Sequence, residues 1–106
     1  MSTPLRYFAT SAGRSQPLEW LAELPVSDRA SIVADIQAFT EYGRNAPLSW
    51  KPVAGSSPML EIRTRGFRTY CVATAGTLWV LHVGRKQDQR RDIQTAAKRM
   101  KQVIGG

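Results

Sequence analysis

The sequence is most informative first in what it lacks. It contains no apolar run approaching the roughly 20 residues that a membrane helix needs, and MSTPLRYFATSAGR at its start lacks the apolar core of a signal peptide. A cytoplasmic protein with no membrane partner is the expectation. Cysteine occurs once, at Cys71, so no internal disulfide can form, and no Cys/His cluster is spaced to hold zinc. Cys71 lies in an apolar, strand-like segment, where a small buried hydrophobe is expected rather than a nucleophile. Histidine also occurs once, at His82. No carboxylate or His/Cys cluster suits a catalytic metal, and no cofactor is expected. Acidic residues are scarce in one half of the chain only. Residues 1–50 carry four Lys/Arg against five Asp/Glu, whereas residues 51–106 carry eleven against three, a net +8. A near-neutral half joined to a strongly basic one is an electrostatic footprint for a polyanion.

The 106 residues, 42% hydrophobic and 22% charged, suit a single globular domain spanning 1–106. RYFAT (residues 6–10) reads as a lead strand. Ser15-Gln16-Pro17 opens a short helix, LEWLAEL, that stops at Pro25. Ser27 is placed to cap a second helix running to about Tyr42, its Ile32, Ile36 and Phe39 at helical spacing and Gly43 ending it. Asp28, Asp35 and Glu41 are expected to face water. Asn45 to Pro58, NAPLSWKPVAGSSP, reads as an irregular connection. MLEIRTR, FRTYCVAT and TLWVLHVG then form three strands whose connections are short enough to require antiparallel hairpins. DQRRDIQTAAKRMKQVI is a final helix capped by Asp88, with Ile93, Ala97, Met100 and Ile104 as its apolar stripe. The expected fold is α+β, in the order β-α-α-β-β-β-α. The helices pack on one face of a twisted, mainly antiparallel sheet, and the other face stays open.

Alternation along the strands assigns side chains to that open face. Leu60 and Ile62 point to the core, so Glu61, Arg63 and Arg65 point away. Phe67 and Cys71 point to the core, so Arg68 and Tyr70 point away. With strands about 4.8 Å apart, Arg63, Arg68 and the Arg85-Lys86 pair are expected to surround one point, with Lys51 on its rim. Such a cluster suits the phosphate of RNA. Cleaving RNA by its own 2′-hydroxyl needs no metal and no protein nucleophile. It needs the phosphate positioned, its developing charge stabilised, and protons moved at two oxygens. Arginine serves the charge through its planar fork of donors. For the protons the candidates are His82, Lys86 and Glu61. Arg90 and Arg91, like Lys51, Arg65 and Arg85, are candidate RNA contacts.

The pattern LEIRTRGFRTY, followed by LWVLHVGRK and a basic amphipathic helix, resembles the RelE/HigB superfamily of type II toxin–antitoxin toxins, in its phage-derived, HigB-like branch. The helical hairpin and the KPV-x-G loop also fit, so the resemblance spans essentially the whole chain. It implies a RelE-like fold and a metal-independent endoribonuclease that cuts mRNA, usually on the ribosome. A cognate antitoxin, expected to have a helix-turn-helix and to come from an adjacent gene, would neutralise it. Arg68 matches the strand arginine that contacts the scissile phosphate, and Arg63 a basic position lining the site. Lys86 matches a basic residue credited with charge stabilisation or leaving-group protonation, and His82 falls in the branch's L-H segment. Two departures stand out. GRKQDQRRD replaces a doubled lysine and the segment after it, and Asp92 lies near the place of a tyrosine that some relatives carry. Two other readings keep the fold: a ParE-like toxin acting on gyrase, and a catalytically degenerate RNA-binding protein.

Overall fold

A computed structural model describes residues 3–105. Five strands form one sheet: β1 (Leu5–Tyr7), β2 (Ser49–Pro52), β3 (Leu60–Thr64), β4 (Phe67–Thr74) and β5 (Thr77–Arg85). Their order is β1-β5-β4-β3-β2, with β1 parallel to β5 and every other pair antiparallel. Three helices complete the fold: α1 (Gln16–Ala22), α2 (Val26–Tyr42) and α3 (Gln89–Gly105). The mixed α+β class with a twisted, mainly antiparallel sheet is as expected. No helix among the described residues is long and apolar enough to cross a membrane.

Local signals explain most boundaries. Ser15 caps α1, its hydroxyl accepting the Leu18 N–H at 3.4 Å, with Pro17 in the first turn. α2 ends at Gly43, whose φ of 59° suits glycine and whose N–H returns to the Phe39 carbonyl. Its start differs from expectation. Pro25, not Ser27, holds the cap position and supplies no side-chain hydrogen bond, and the Ser27 carbonyl accepts from the Ser31 hydroxyl. Asp35 does not simply face water, because it accepts the Thr64 hydroxyl at 2.6 Å and so ties α2 to β3.

Two larger corrections bear on the site. The segment expected to be irregular contains β2, which pairs with β3 from Ser49↔Arg63 to Pro52↔Leu60. An edge strand tolerates proline at its end, which is why the punctuation was misleading. The second concerns the sheet's open face. α1 and α2 cover one face, where Leu21, Ile32 and Ile36 pack on Phe67, Val80 and Val83. α3 lies on the opposite face, its Ala96 and Met100 packing with Tyr70, Val72 and Leu81. The two-sided burial of β5 explains its unbroken apolar run.

A bulge in β5 makes this possible. Tyr70 pairs with His82 and Cys71 with Val80, so Leu81 is the extra residue. Val80 and Val83 therefore both face α1 and α2, while Leu81 and His82 both serve the α3 side. α3 also comes in close at Gly84, where an added Cβ would run into the Asp92 carboxylate. Gly84→Ala should therefore lower stability by about 1–3 kcal/mol, read from the urea unfolding midpoint. Gly66→Ala, which meets open space, should stay within about 0.5 kcal/mol of the parent. Equal effects at both positions would contradict this packing.

Candidate functional site

Sheet register brings the polar residues of the α3 side into two rows. Lys51, Glu61, Tyr70 and His82 are successive cross-strand partners from β2 to β5, and Ser49, Arg63, Arg68 and Gly84 form the neighbouring row. At the centre lies Glu61, which is completely buried. One carboxylate oxygen accepts from Arg63 Nε at 2.8 Å, the other from Gln89 Nε2 at 2.6 Å, and Arg68 Nε stands 3.9 Å away. A carboxylate taken from water without such partners would cost several kcal/mol. Here strand alternation puts Glu61 and Arg63 on one side of β3, and the first residue of α3 closes over them.

The two arginines differ in what they leave free. The Arg63 side chain keeps 37% of its exposure, so part of its fork can meet a ligand. Arg68 is 7% exposed. Its Nη1 donates to the carbonyls of Arg65 and Phe67, each at 2.9 Å, and so holds the β3–β4 turn. Its buried Nε has no hydrogen-bond partner among the described residues. Arg68 therefore does not stand on an open face, and loss of its side chain would disturb the turn as well as the cation cluster.

His82 belongs to a second network. Arg99 Nη1, which can only donate, lies 2.9 Å from Nδ1, so Nδ1 is the acceptor. The proton of the neutral ring is then on Nε2, 3.0 Å from Asp92 Oδ1. Burial lowers the His82 pKa and the nearby Arg99 and Arg91 charges lower it further, against the opposing pull of Asp92. With both nitrogens committed, the ring is arranged as an internal hydrogen-bonded group. Tyr70, completely buried between Glu61 and His82, has its hydroxyl pKa raised by burial and then by Glu61 and Asp92. It packs in the core and presents no face for stacking. Burial likewise pushes the Cys71 thiol up to about 12, in keeping with an unreactive core residue.

The remaining expected site residues divide. Lys51 is exposed across the strand from Glu61, on the rim as expected. Lys86 is exposed, its backbone N–H held by the Gly66 carbonyl beside the β3–β4 turn. Arg85 does not join the cluster. It pairs with Phe67 in the register and lies over the rings of Trp20 and Phe67, at 5.6 and 5.4 Å, on the α1 side. Arg65 sits in the turn at φ 55° and leans toward Asp28 of α2, 3.9 Å away. Arg90 is exposed on α3, and Arg91 faces Asp88 at 3.4 Å. Among the described residues no group of three or more His, Cys, Asp or Glu could hold a metal ion.

Gln89, Asp92 and Arg99 were not expected to contribute to the interior. A usable signal existed, because Asp92 and Arg99 are seven apart and flank Ala96, which puts polar groups on the buried stripe of α3.

This arrangement of sheet and helices is that of the RelE-like toxin fold. The solved structure of an E. coli toxin RelE mutant in the free state, with two arginines changed to alanine, matches it with a TM-score of 0.69. The identity is 17%, over 93% of this chain and 98% of that one. Residues 19–101 match the family described as phage-derived Gp49-like proteins, and the chain belongs to that family, a branch of the RelE/HigB-like toxins. No curated protein matches the chain.

The depressed His82 pKa makes stability depend on pH in a definite direction. The unfolded chain binds the proton near the ordinary histidine value of about 6.5, the folded chain only at lower pH. The stabilisation is therefore complete above that value and declines as pH falls below it. Unfolding free energy should drop between about pH 7 and 5.5, and His82→Gln should flatten the slope. Since His82 is the sole histidine, an unchanged slope in the variant would show that it is not the group responsible.

Proposed function

We propose that this chain is the toxin of a type II toxin–antitoxin pair and acts in the cytoplasm as a metal-independent mRNA endoribonuclease, on the ribosome. The observation that carries this reading is the Arg63–Arg68 pair. The two are directly opposite across β3 and β4 and close to the buried Glu61, in a member of a RelE/HigB-like family whose residues 51–106 carry net +8. Fixed cations of this kind stabilise the charge that develops on a phosphate as the RNA 2′-hydroxyl attacks it. The exposed part of Arg63 contacts the phosphate, Arg68 supports it from beneath, and Lys51 steadies the strand at the rim. Lys86, exposed beside the turn, is the remaining candidate to protonate the leaving oxygen, and with Glu61 and His82 engaged the 2′-hydroxyl proton passes to solvent water. The antitoxin, a separate protein, would block this face or hold the toxin off the ribosome.

A second reading has its own support. Both Glu61 oxygens and both His82 nitrogens are occupied, which favours a toxin-like protein that binds RNA, or gyrase, without cleaving. Purified protein added to translating ribosomes separates the two. Cleavage should persist in EDTA, provided the ribosomes stay intact, and leave a 2′,3′-cyclic phosphate or its 3′-phosphate product. Arg63→Ala should slow it about a hundredfold, scored on protein shown to be folded by its unfolding midpoint, which should fall because Glu61 loses a partner. Chelator-sensitive cutting restored by magnesium would defeat the metal-independent mechanism. No cutting, together with inhibition of gyrase supercoiling, would favour the alternative.

A further inference from the structure

A groove on the other side of α3 has a composition that the arginine pair does not account for. It runs between the β1–α1 connection and the second half of α3, encloses about 480 Å³, and is walled by Phe8, Thr10, Ser11, Thr95, Lys98 and Arg99. Among the described residues no carboxylate lines it. An adjoining hollow of about 430 Å³ shares Phe8, Thr10 and Arg99 but includes Glu19 and Glu23, so an anion is favoured on the Lys98 side.

Arg99 distinguishes this groove from an ordinary solvated basic face. Its two Nη1 hydrogens are shared among the Gln16 side chain at 3.0 Å, the Leu81 carbonyl at 2.8 Å and His82 Nδ1 at 2.9 Å. Its guanidinium carbon lies 5.4 Å from the centre of the Phe8 ring. α1 and β5 thus fix the group through one nitrogen, and the Phe8 ring lies against its face. Nε and Nη2 carry no protein hydrogen bond among the described residues. A guanidinium held still, with two nitrogens unspent beside a lysine and the hydroxyls of Thr10 and Ser11, is organised for a tetrahedral oxyanion.

We propose that this groove binds a backbone phosphate of a single-stranded RNA, with Arg99 and Lys98 as its cations. The choice of RNA rests on the ribonuclease reading above. Gln89, which touches Glu61, and Arg99 are ten residues apart on α3, about 15 Å along the helix axis. One strand can therefore reach from the arginine pair to the groove, which would act as a subsite a few nucleotides from the cut and favour longer over minimal substrates.

The test uses the full ¹⁵N-labelled chain titrated with inorganic phosphate and, separately, with a 2′-O-methylated hexanucleotide that cannot be cut. Both should shift the Arg99 Nε–Hε signal and the amides of Thr10 and Ser11. Lys98→Glu, at an exposed position, should weaken hexanucleotide binding about tenfold, as expected for losing one phosphate contact and adding repulsion, with an unchanged unfolding midpoint. Hexanucleotide shifts confined to the region of Arg63, Arg68 and Lys86, or unchanged affinity of Lys98→Glu, would overturn the proposal. Phosphate shifts without hexanucleotide shifts would overturn RNA as the ligand. Cleavage by the parent protein on ribosomes, scored separately, would show that only the subsite and not the nuclease reading had failed.

Discussion

The fully buried Glu61 carboxylate governs the arrangement of cations around it. A charge in that position must be met by partners: Arg63, two residues along the same strand, and Gln89, at the start of α3, donate hydrogen bonds to it, and the Arg68 cation stands 3.9 Å away across the hairpin. Because these groups converge on one carboxylate, the β3–β4 hairpin and the first turn of α3 are fixed relative to each other. The cost of gathering two arginines is offset by the carboxylate between them. What remains outward is the exposed part of Arg63, with Lys51 and Lys86 at the edges. Seven net positive charges would make a diffuse attraction for any polyanion. The carboxylate turns part of that charge into a position.

The second network gives α3 its other anchor. Asp92 meets His82 where Gly84 leaves room, and Arg99 meets the far nitrogen of the same ring while reaching Gln16 at the start of α1. α3 is thus tied to the sheet by polar contacts from Asp92 and Arg99, with Ala96 packed between them and Met100 just beyond. The lone histidine is spent on this attachment. In a ribonuclease reading this leaves Arg63 and Lys86 with most of the chemistry, and it makes transition-state charge stabilisation the dominant contribution.

Much of this was legible from the chain. Ser15, Pro17 and Gly43 marked helix ends through capping and backbone preferences that depend only on neighbours. The alternation in LEIRT separated Leu60 and Ile62 from Glu61 and Arg63 correctly. The failures came where distant segments decide. Nothing in the pattern of SWKP distinguishes an edge strand bounded by prolines from a loop, because its partner β3 begins only after the connection that follows Pro52. The bulge at Leu81 breaks period-two counting, and simple alternation could not show that His82 shares a side with Leu81. Arg85 was grouped with Lys86 by adjacency, yet its register opposite Phe67 sends it to the α1 face. Tyr70 and Arg68 were assigned to the correct side of the sheet. That α3 would cover Tyr70 required knowing that Asp92 and Arg99 face inward, which charge alone argues against.

The most direct test of Glu61 as the organising group is Glu61→Gln, measured for both unfolding free energy and RNA cleavage on translating ribosomes. The amide fills the same space but removes the charge that aligns Arg63 and Arg68. The variant should remain folded, with a loss of about 1–3 kcal/mol, and cleave about a hundredfold more slowly than the parent. Parent-level cleavage by a folded Glu61→Gln would contradict the account, because the arginines would then hold their positions without the carboxylate.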